Sequence, residues 1–301
     1  MMKFLACLVL ALYATGSGAA GLPKKIQFGT YVLYDTSVRR RSTTGIGVYT
    51  KLLFNAINAR LPFNVTGTQI ELVLIGMKEV SDNAIVLDPN GYPPLSVTAG
   101  SLFSYVSQQD RTGGRDNTMK NADIVLYFSG TMSRAARFNG KYYNAWSPGG
   151  TICTRNNGVT VGLYNPDFDK MESIMFGILR LLGSDETGGV AANLNTKSRR
   201  CLNKKPRGVY SNVTKLPGED LDGTVYCKEF ASDSDAFSLC ETLNDGCTLS
   251  CCWNNNVQEF RRTSAPDGFG CGKRNSKICF MDKCVPRRSL GTIGYKYPKK
   301  T

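Results

Sequence analysis

Phe176 to Glu186 reads FGILRLLGSDE, and the reading of that stretch decides the fold. It closes a longer run, DKMESIMFGILRLLGSDE (169–186), whose apolar residues recur at helical spacing. Asp167 or Asp169 can cap its start, and Gly183 stops it. The stretch contains no histidine, and neither does the rest of the 301-residue chain. Working back toward the N-terminus, GVTVGLYN and ADIVLYFSG read as strands, AGSLFSYVSQQDR as a helix and IELVLIGMKEV as a strand. GIGVYTKLLFNAINARL is a helix with Val48, Leu52, Leu53, Ala56 and Ile57 at helical spacing, and KIQFGTYVLYD is a buried opening strand. Strands alternating with helices predict an α/β fold with a mostly parallel twisted sheet.

After about Lys215 the character changes. Residues 216–286 are cysteine-dense and turn-rich, without long periodic segments, and predict a small disulfide-rich module. The chain has eleven cysteines; Cys7 falls in the N-terminal leader, so ten remain. Two of these, Cys153 and Cys201, precede the module, and eight lie in it: Cys227, Cys240, Cys247, Cys251, Cys252, Cys271, Cys279 and Cys284. An even number crowded into one segment of an exported chain reads as a disulfide framework. Zinc-thiolate is the competing reading, and the adjacent pair Cys251-Cys252 fits its paired spacing poorly. The sequence leaves the connectivity open. Residues 1–20, MMKFLACLVLALYATGSGAA, have the layout of a signal peptide with cleavage near Ala20, and no later stretch is apolar enough to span a bilayer. The expected location is therefore extracellular. Asn64 and Asn212 each open an Asn-x-Thr sequon and are candidate glycosylation sites.

The formal net charge is +13. Basic clusters occur at Arg39-Arg40-Arg41, in KSRRCLNKKPR (197–207), at Arg261-Arg262 and in the tail 287–301, with the first expected in a solvated loop. Any one cluster is a solvated surface; their sum suits anionic glycans, an anionic lipid surface or an acidic protein face. No nucleic-acid recognition motif is present, so nucleic acid is not an expected partner.

Several pieces of the chain together resemble a known family. They are Leu-Pro-Gly-Glu (216–219), Cys-Thr-Leu-x-Cys (247–251), Pro-Asp-Gly (266–268), Cys271-Gly272 and the ending Cys279…Cys284-Val285. These look like the disintegrin-like, cysteine-rich segment of the ADAM-with-thrombospondin-repeats proteases. The element order before them resembles the adamalysin (reprolysin) branch of the metzincin zinc proteases. Shorter secreted relatives in tick saliva and scorpion venom share the two-part plan. The resemblance implies a signal peptide (1–20), a metalloprotease-like domain (21–215), the cysteine-rich module (216–286) and a basic tail (287–301).

Metzincins carry His-Glu-x-x-His-x-x-Gly-x-x-His. Two histidines one turn apart and a third beyond the glycine bind zinc, and the glutamate acts on the zinc-bound water. Anchored on Leu181-Leu182-Gly183, the ligand positions hold Phe176, Arg180 and Glu186, and the base position holds Gly177. The methionine of the family's Met-turn is replaced by Tyr210. Phenylalanine offers no lone pair, arginine stays cationic, glycine moves no proton, and one carboxylate is a poor zinc site. The resemblance therefore implies an inactive member with no catalytic residue, no metal site and no cofactor, the family zinc being lost. In the family geometry Arg180 and Glu186 would face each other and bridge, with Phe176 filling the remaining volume; the alternative is that both lie at the surface. Cys153 and Cys201 flank this helix, and pairing them matches a disulfide that supports it in the family; a link between the two parts is the alternative and needs two cross-bridges. The implied role is an extracellular binding protein whose cysteine-rich module contacts a protein target, in haemostasis or matrix of a host or prey. Two other readings remain: a metalloendopeptidase using a non-standard site, and a structural matrix protein. A glycosidase built on Asp185 and Glu186 fails because sequence neighbours seldom converge on one bond.

Overall fold

The structure, a computed structural model, describes residues 22–42, 45–61, 68–81, 84–85, 94–112, 117–130, 136–138, 141–163, 168, 171–184, 189–207, 215–231, 237–243, 246–254 and 256–287. Residues 1–21, which include the predicted signal peptide, and Asn64, Glu186, Tyr210, Asn212 and residues 288–301 lie outside them. In chain order the elements are β1 (Lys25–Asp35), α1 (Thr36–Arg41), α2 (Ile46–Arg60), β2 (Gln69–Val80), α3 (Leu95–Arg111), α4 (Asn117–Lys120) and β3 (Ile124–Ser129). There follow β4 (Ala136–Phe138), β5 (Lys141–Tyr143), β6 (Ala145–Trp146), β7 (Gly158–Gly162), α5 (Met171–Leu181), α6 (Gly189–Asn195) and α7 (Arg199–Leu202). The C-terminal part adds α8 (Pro217–Asp220), α9 (Gly223–Ala231), β8 (Phe237–Leu243), β9 (Thr248–Trp253), β10 (Asn256–Ser264), β11 (Gly270–Cys271), β12 (Lys277–Phe280) and β13 (Lys283–Pro286).

The fold is mixed α/β, with a mostly parallel five-stranded sheet followed by a disulfide-rich region. The sheet order is β2-β1-β3-β7-β6, with β2, β1, β3 and β7 parallel and only the short edge strand β6 antiparallel to β7. Alternation within the strands sends side chains to two cores. Ile26, Phe28 and Val32 of β1 join Ile124, Leu126 and Phe128 of β3 in one core, beneath Leu52, Leu53 and Ile57 of α2 and Ile174 and Ile178 of α5. Tyr31, Leu33, Val125 and Tyr127 point the other way, onto Leu102 and Val106 of α3. At Gly76 the sheet makes room for one of these: a Cβ there would lie 2.5 Å from the Tyr31 ring.

Arg39, Arg40 and Arg41, expected in a loop, form the last turn of α1. Asp35 nucleates this short helix. Its carboxylate is fully buried and accepts from Val38 N at 3.0 Å, the Ser37 hydroxyl at 2.7 Å and Gly130 N at 2.7 Å. The three arginines follow at the negative end of the helix dipole.

The cysteine-dense segment is more regular than its sequence predicts, with two antiparallel three-stranded sheets, β10-β9-β8 and β11-β12-β13. Its bridges are Cys227–Cys251, Cys240–Cys252, Cys247–Cys279 and Cys271–Cys284, while Cys153 pairs with Cys201. The core under the parallel sheet continues into this segment through Leu221, Tyr226, Cys247, Leu249 and Cys279. A run of rings crosses the boundary, from Phe128 to Tyr49 (6.3 Å between centroids), Phe168 (5.1 Å) and Tyr226 (6.2 Å).

Polar contacts fix the same boundary. Arg60, at the end of α2, forks onto Asp267 with Nε–Oδ2 at 2.6 Å and Nη2–Oδ1 at 2.8 Å. Burial opposes the charge on Arg60, but the hydrogen bond and the charge of Asp267 outweigh it and raise its pKa. Asp267 Oδ1 also accepts from Met281 N at 3.0 Å. The neighbouring Gly268 has φ +94°, and a Cβ there would stand 2.6 Å from Leu216 Cβ, so the Pro-Asp-Gly turn needs glycine for both conformation and space. Glu219 closes the Leu-Pro-Gly-Glu entry by accepting from Leu216 N at 3.0 Å and from Arg287 at 2.8 Å.

Candidate functional site

Helix α5 lies against β7 and β6, and Gly177 sets how closely. A Cβ at 177 would meet Val159 Cγ1 at 2.7 Å and Ala145 Cβ at 3.2 Å. The position assigned to the general base is therefore pressed against the sheet, and a glutamate has no room there without moving the helix. The loop after β6 receives the end of the helix. The buried Ser147 hydroxyl donates to Gly177 O at 2.7 Å, Gly150 N to Arg180 O at 3.0 Å and Ile152 N to Leu181 O at 3.2 Å. These bonds satisfy carbonyls that a helix end leaves without intrahelical partners. Gly183 terminates the helix at φ +99°, its N–H donating to Arg180 O at 2.8 Å. A Cβ on Gly183 would strike Asn193, whose amide donates to Leu182 O at 2.8 Å.

Phe176 and Arg180 are one turn apart and share a face of α5. Both are half-buried, and each is covered by an aromatic ring, one from β5 and one from the edge strand β6. Phe176 stacks on Tyr143 with centroids 3.9 Å apart and 11° between planes. The Arg180 guanidinium carbon stands 4.9 Å from the centre of the Trp146 ring. A parallel ring pair contributes about 0.5–1.5 kcal/mol beyond its buried area. A guanidinium over an indole contributes about 0.5–2 kcal/mol, depending on desolvation. Phe176 and Arg180, the positions that the resemblance aligns with zinc ligands, thus form a layer of stacked rings and cation–π contact.

These residues do not fit a zinc ion. Phe176 and Gly177 supply no donor atom, and every guanidinium nitrogen of Arg180 is occupied by protons or delocalised charge. Glu186 lies outside the described residues, so the bridge expected between it and Arg180 has no described geometry; what the structure gives Arg180 is Trp146. Among the described residues the sulfurs of Cys247, Cys271 and Cys279 lie within 4.8 Å of one another, close enough to hold a metal. All three are committed to the Cys247–Cys279 and Cys271–Cys284 disulfides and present no thiolate.

Tyr143 and Trp146, which complete the layer, were not singled out from the sequence. The signal was present in KYYNAW (141–146), three aromatic residues in six, but nothing in that string says that it runs along α5. Among the described residues no helix is long and apolar enough to cross a membrane.

No protein-family model and no curated protein matches the chain. Among solved structures, the chain is similar to one titled "Structure of a chaperone-substrate complex", at 12% identity and a TM-score of 0.35, over 53% of this chain. The chain spans about a quarter of that protein's length (24%).

Proposed function

We propose that this chain is a secreted pseudoprotease: an inactive relative of adamalysin-type metzincins that acts outside the cell as a binding protein. The observation that carries the reading is the layer over α5, where Phe176 on Tyr143 and Arg180 on Trp146 fill the positions that correspond to metal ligands. The absence of histidine from the chain, the α/β fold ending on a glycine-stopped helix, and the disulfide-rich region support it. The five bridges suit an oxidising compartment. The cysteine-rich segment is the proposed contact surface for a protein target, which by resemblance belongs to haemostasis or matrix of a host or prey.

The test is elemental analysis for zinc in the disulfide-intact protein after metal exposure, beside cleavage of a broad peptide pool. Zinc below one-tenth of stoichiometric together with no cleavage is the expected result. Stoichiometric zinc with cleavage that a chelator stops would establish a metalloendopeptidase with a non-standard site and overturn the proposal.

A further inference from the structure

Away from the Phe176–Arg180 layer, three basic residues from three segments open on one cavity of about 490 Å³. Arg111 ends α3, Lys120 ends α4, and Arg155 follows Cys153 in the loop before β7. Ser107, one turn before Arg111, and Thr154 add hydroxyls to the same lining. All three cations are exposed, and no carboxylate among the described residues forms an ion pair with them. The negative ends of α3 and α4 account for Arg111 and Lys120 taken singly. They do not account for Arg155, which reaches the cavity from a third wall.

That wall is built rather than loose. Thr154 Oγ1 donates to Thr151 O at 2.7 Å and accepts from Asn156 N at 3.1 Å. The buried Asn157 amide donates to Asp123 O at 2.9 Å, and Val125 N returns a bond to Asn157 O at 3.1 Å. The Cys153–Cys201 bridge then ties the loop to α7, which carries Arg199 and Arg200. Lys204 donates to Asn121 O at 2.6 Å and pairs with the buried Asp123 carboxylate at 2.8 Å, holding that segment against the entry to β3. Arg111, Lys120 and Arg155, distant in sequence, are thus collected on one cavity.

We infer that this cavity is a binding site for a compact polyanion bearing at least two sulfate or phosphate groups. Guanidinium and ammonium groups bind such tetrahedral oxyanions through charge-assisted hydrogen bonds, arginine in bidentate fashion. Size argues against a lone oxyanion. At about 30 Å³ per water, the space corresponds to roughly fifteen waters and falls within the ~300–1,000 Å³ of small-molecule sites. A sulfated sugar and an inositol phosphate share this chemistry. The site is separate from the α5 layer and does not depend on the pseudoprotease reading.

Calorimetric titration of the disulfide-intact chain with sucrose octasulfate and with myo-inositol hexakisphosphate tests the assignment, and the tighter of the two identifies the source. Arg111→Ser/Lys120→Ser/Arg155→Ser is expected to weaken binding at least about 30-fold, the loss of about one charged hydrogen bond at minimum. Arg261→Ser/Arg262→Ser/Lys283→Ser removes the same charge elsewhere and should change affinity less than about threefold, as surface charges act through a screened field. Ser107→Trp leaves the charge intact but fills the cavity, and should also abolish binding; near-ultraviolet circular dichroism verifies that each variant is folded. Equal losses in the two triple variants, parent-like binding by folded Ser107→Trp, or no binding of either polyanion by the parent would each overturn the inference.

Discussion

Replacing Asp267 by alanine should be among the most damaging single changes in this protein. The carboxylate is 1% exposed and its partner Arg60 12% exposed, so both charges are held away from water. The substitution leaves two guanidinium donors and the Met281 N–H without their acceptor. Breaking a buried pair from one side costs about 3–5 kcal/mol, because the remaining charge is uncompensated. The stranded amide is worth about 1–3 kcal/mol on the same scale, and since the donors share one acceptor the two figures do not simply add. A loss of about 4 kcal/mol is expected. Arg60 cannot escape by neutralising: with Asp267 gone its burial opposes the charge, yet a guanidinium stays protonated at any accessible pH, so no accessible pH relieves the strain. Equilibrium unfolding in urea, which does not screen charge, measures the loss. The two tryptophans, Trp146 on the parallel sheet and Trp253 on β9, report on both sides of the boundary. Arg60→Met/Asp267→Leu should recover part of the loss, since an apolar pair needs no charge compensation. A loss under about 1 kcal/mol for Asp267→Ala, or a double variant as unstable as the two single losses summed, would refute the reasoning.

Three further outcomes follow from the geometry. A double-mutant cycle of Phe176→Leu and Tyr143→Leu should show a coupling of about 0.5–1.5 kcal/mol, and strict additivity would mean the stack contributes nothing. Cys153→Ser/Cys201→Ser opens a bridge of sequence separation 48, which chain entropy values at about 4 kcal/mol; a fall in the urea midpoint that matches less than about 1 kcal/mol would show that the loop is held without it. Burial raises the Tyr105 phenol above its ordinary 10.0, so the unfolded chain releases that proton first and stability falls as pH climbs through 10 toward the folded value. Tyr105→Phe should lessen that alkaline loss, and an unchanged pH profile would assign it to other groups.

The parallel sheet was legible because its strands alternate between two buried faces and its helices keep apolar residues at helical spacing, a pattern visible in KIQFGTYVLYD and in the run to Gly183. Strand β6 was not, since two residues carry no period. The C-terminal sheets were missed because cysteines stand where apolar alternation would otherwise show, as in TLSCCW of β9. At the candidate site, the sequence shows which residue types stand at 176, 177 and 180 but not what they pack against. Their partners come from 143 on β5 and 146 on the edge strand β6, and only the tertiary fold brings them there. Likewise nothing local links Arg60 to Asp267, which are 207 residues apart. The Cys153–Cys201 pair, by contrast, was expected from the family resemblance, with a link between the two parts as the alternative, and the structure shows it.

The core shared across the boundary also bears on how the molecule is made. A ribosome releases β1 and α2 long before Tyr226, Leu249 and Cys279, which complete the packing around them. Part of the interior of the first-made half is therefore covered only when the last-made half arrives, and that half carries eight cysteines in four bridges. Biosynthetic maturation is thereby coupled to thiol chemistry at the far end of the chain. A chain whose eight C-terminal cysteines are replaced by serine, with Cys153 and Cys201 kept, should stay protease-sensitive within residues 22–207 under oxidising conditions, whereas resistance there would show that the first half closes alone.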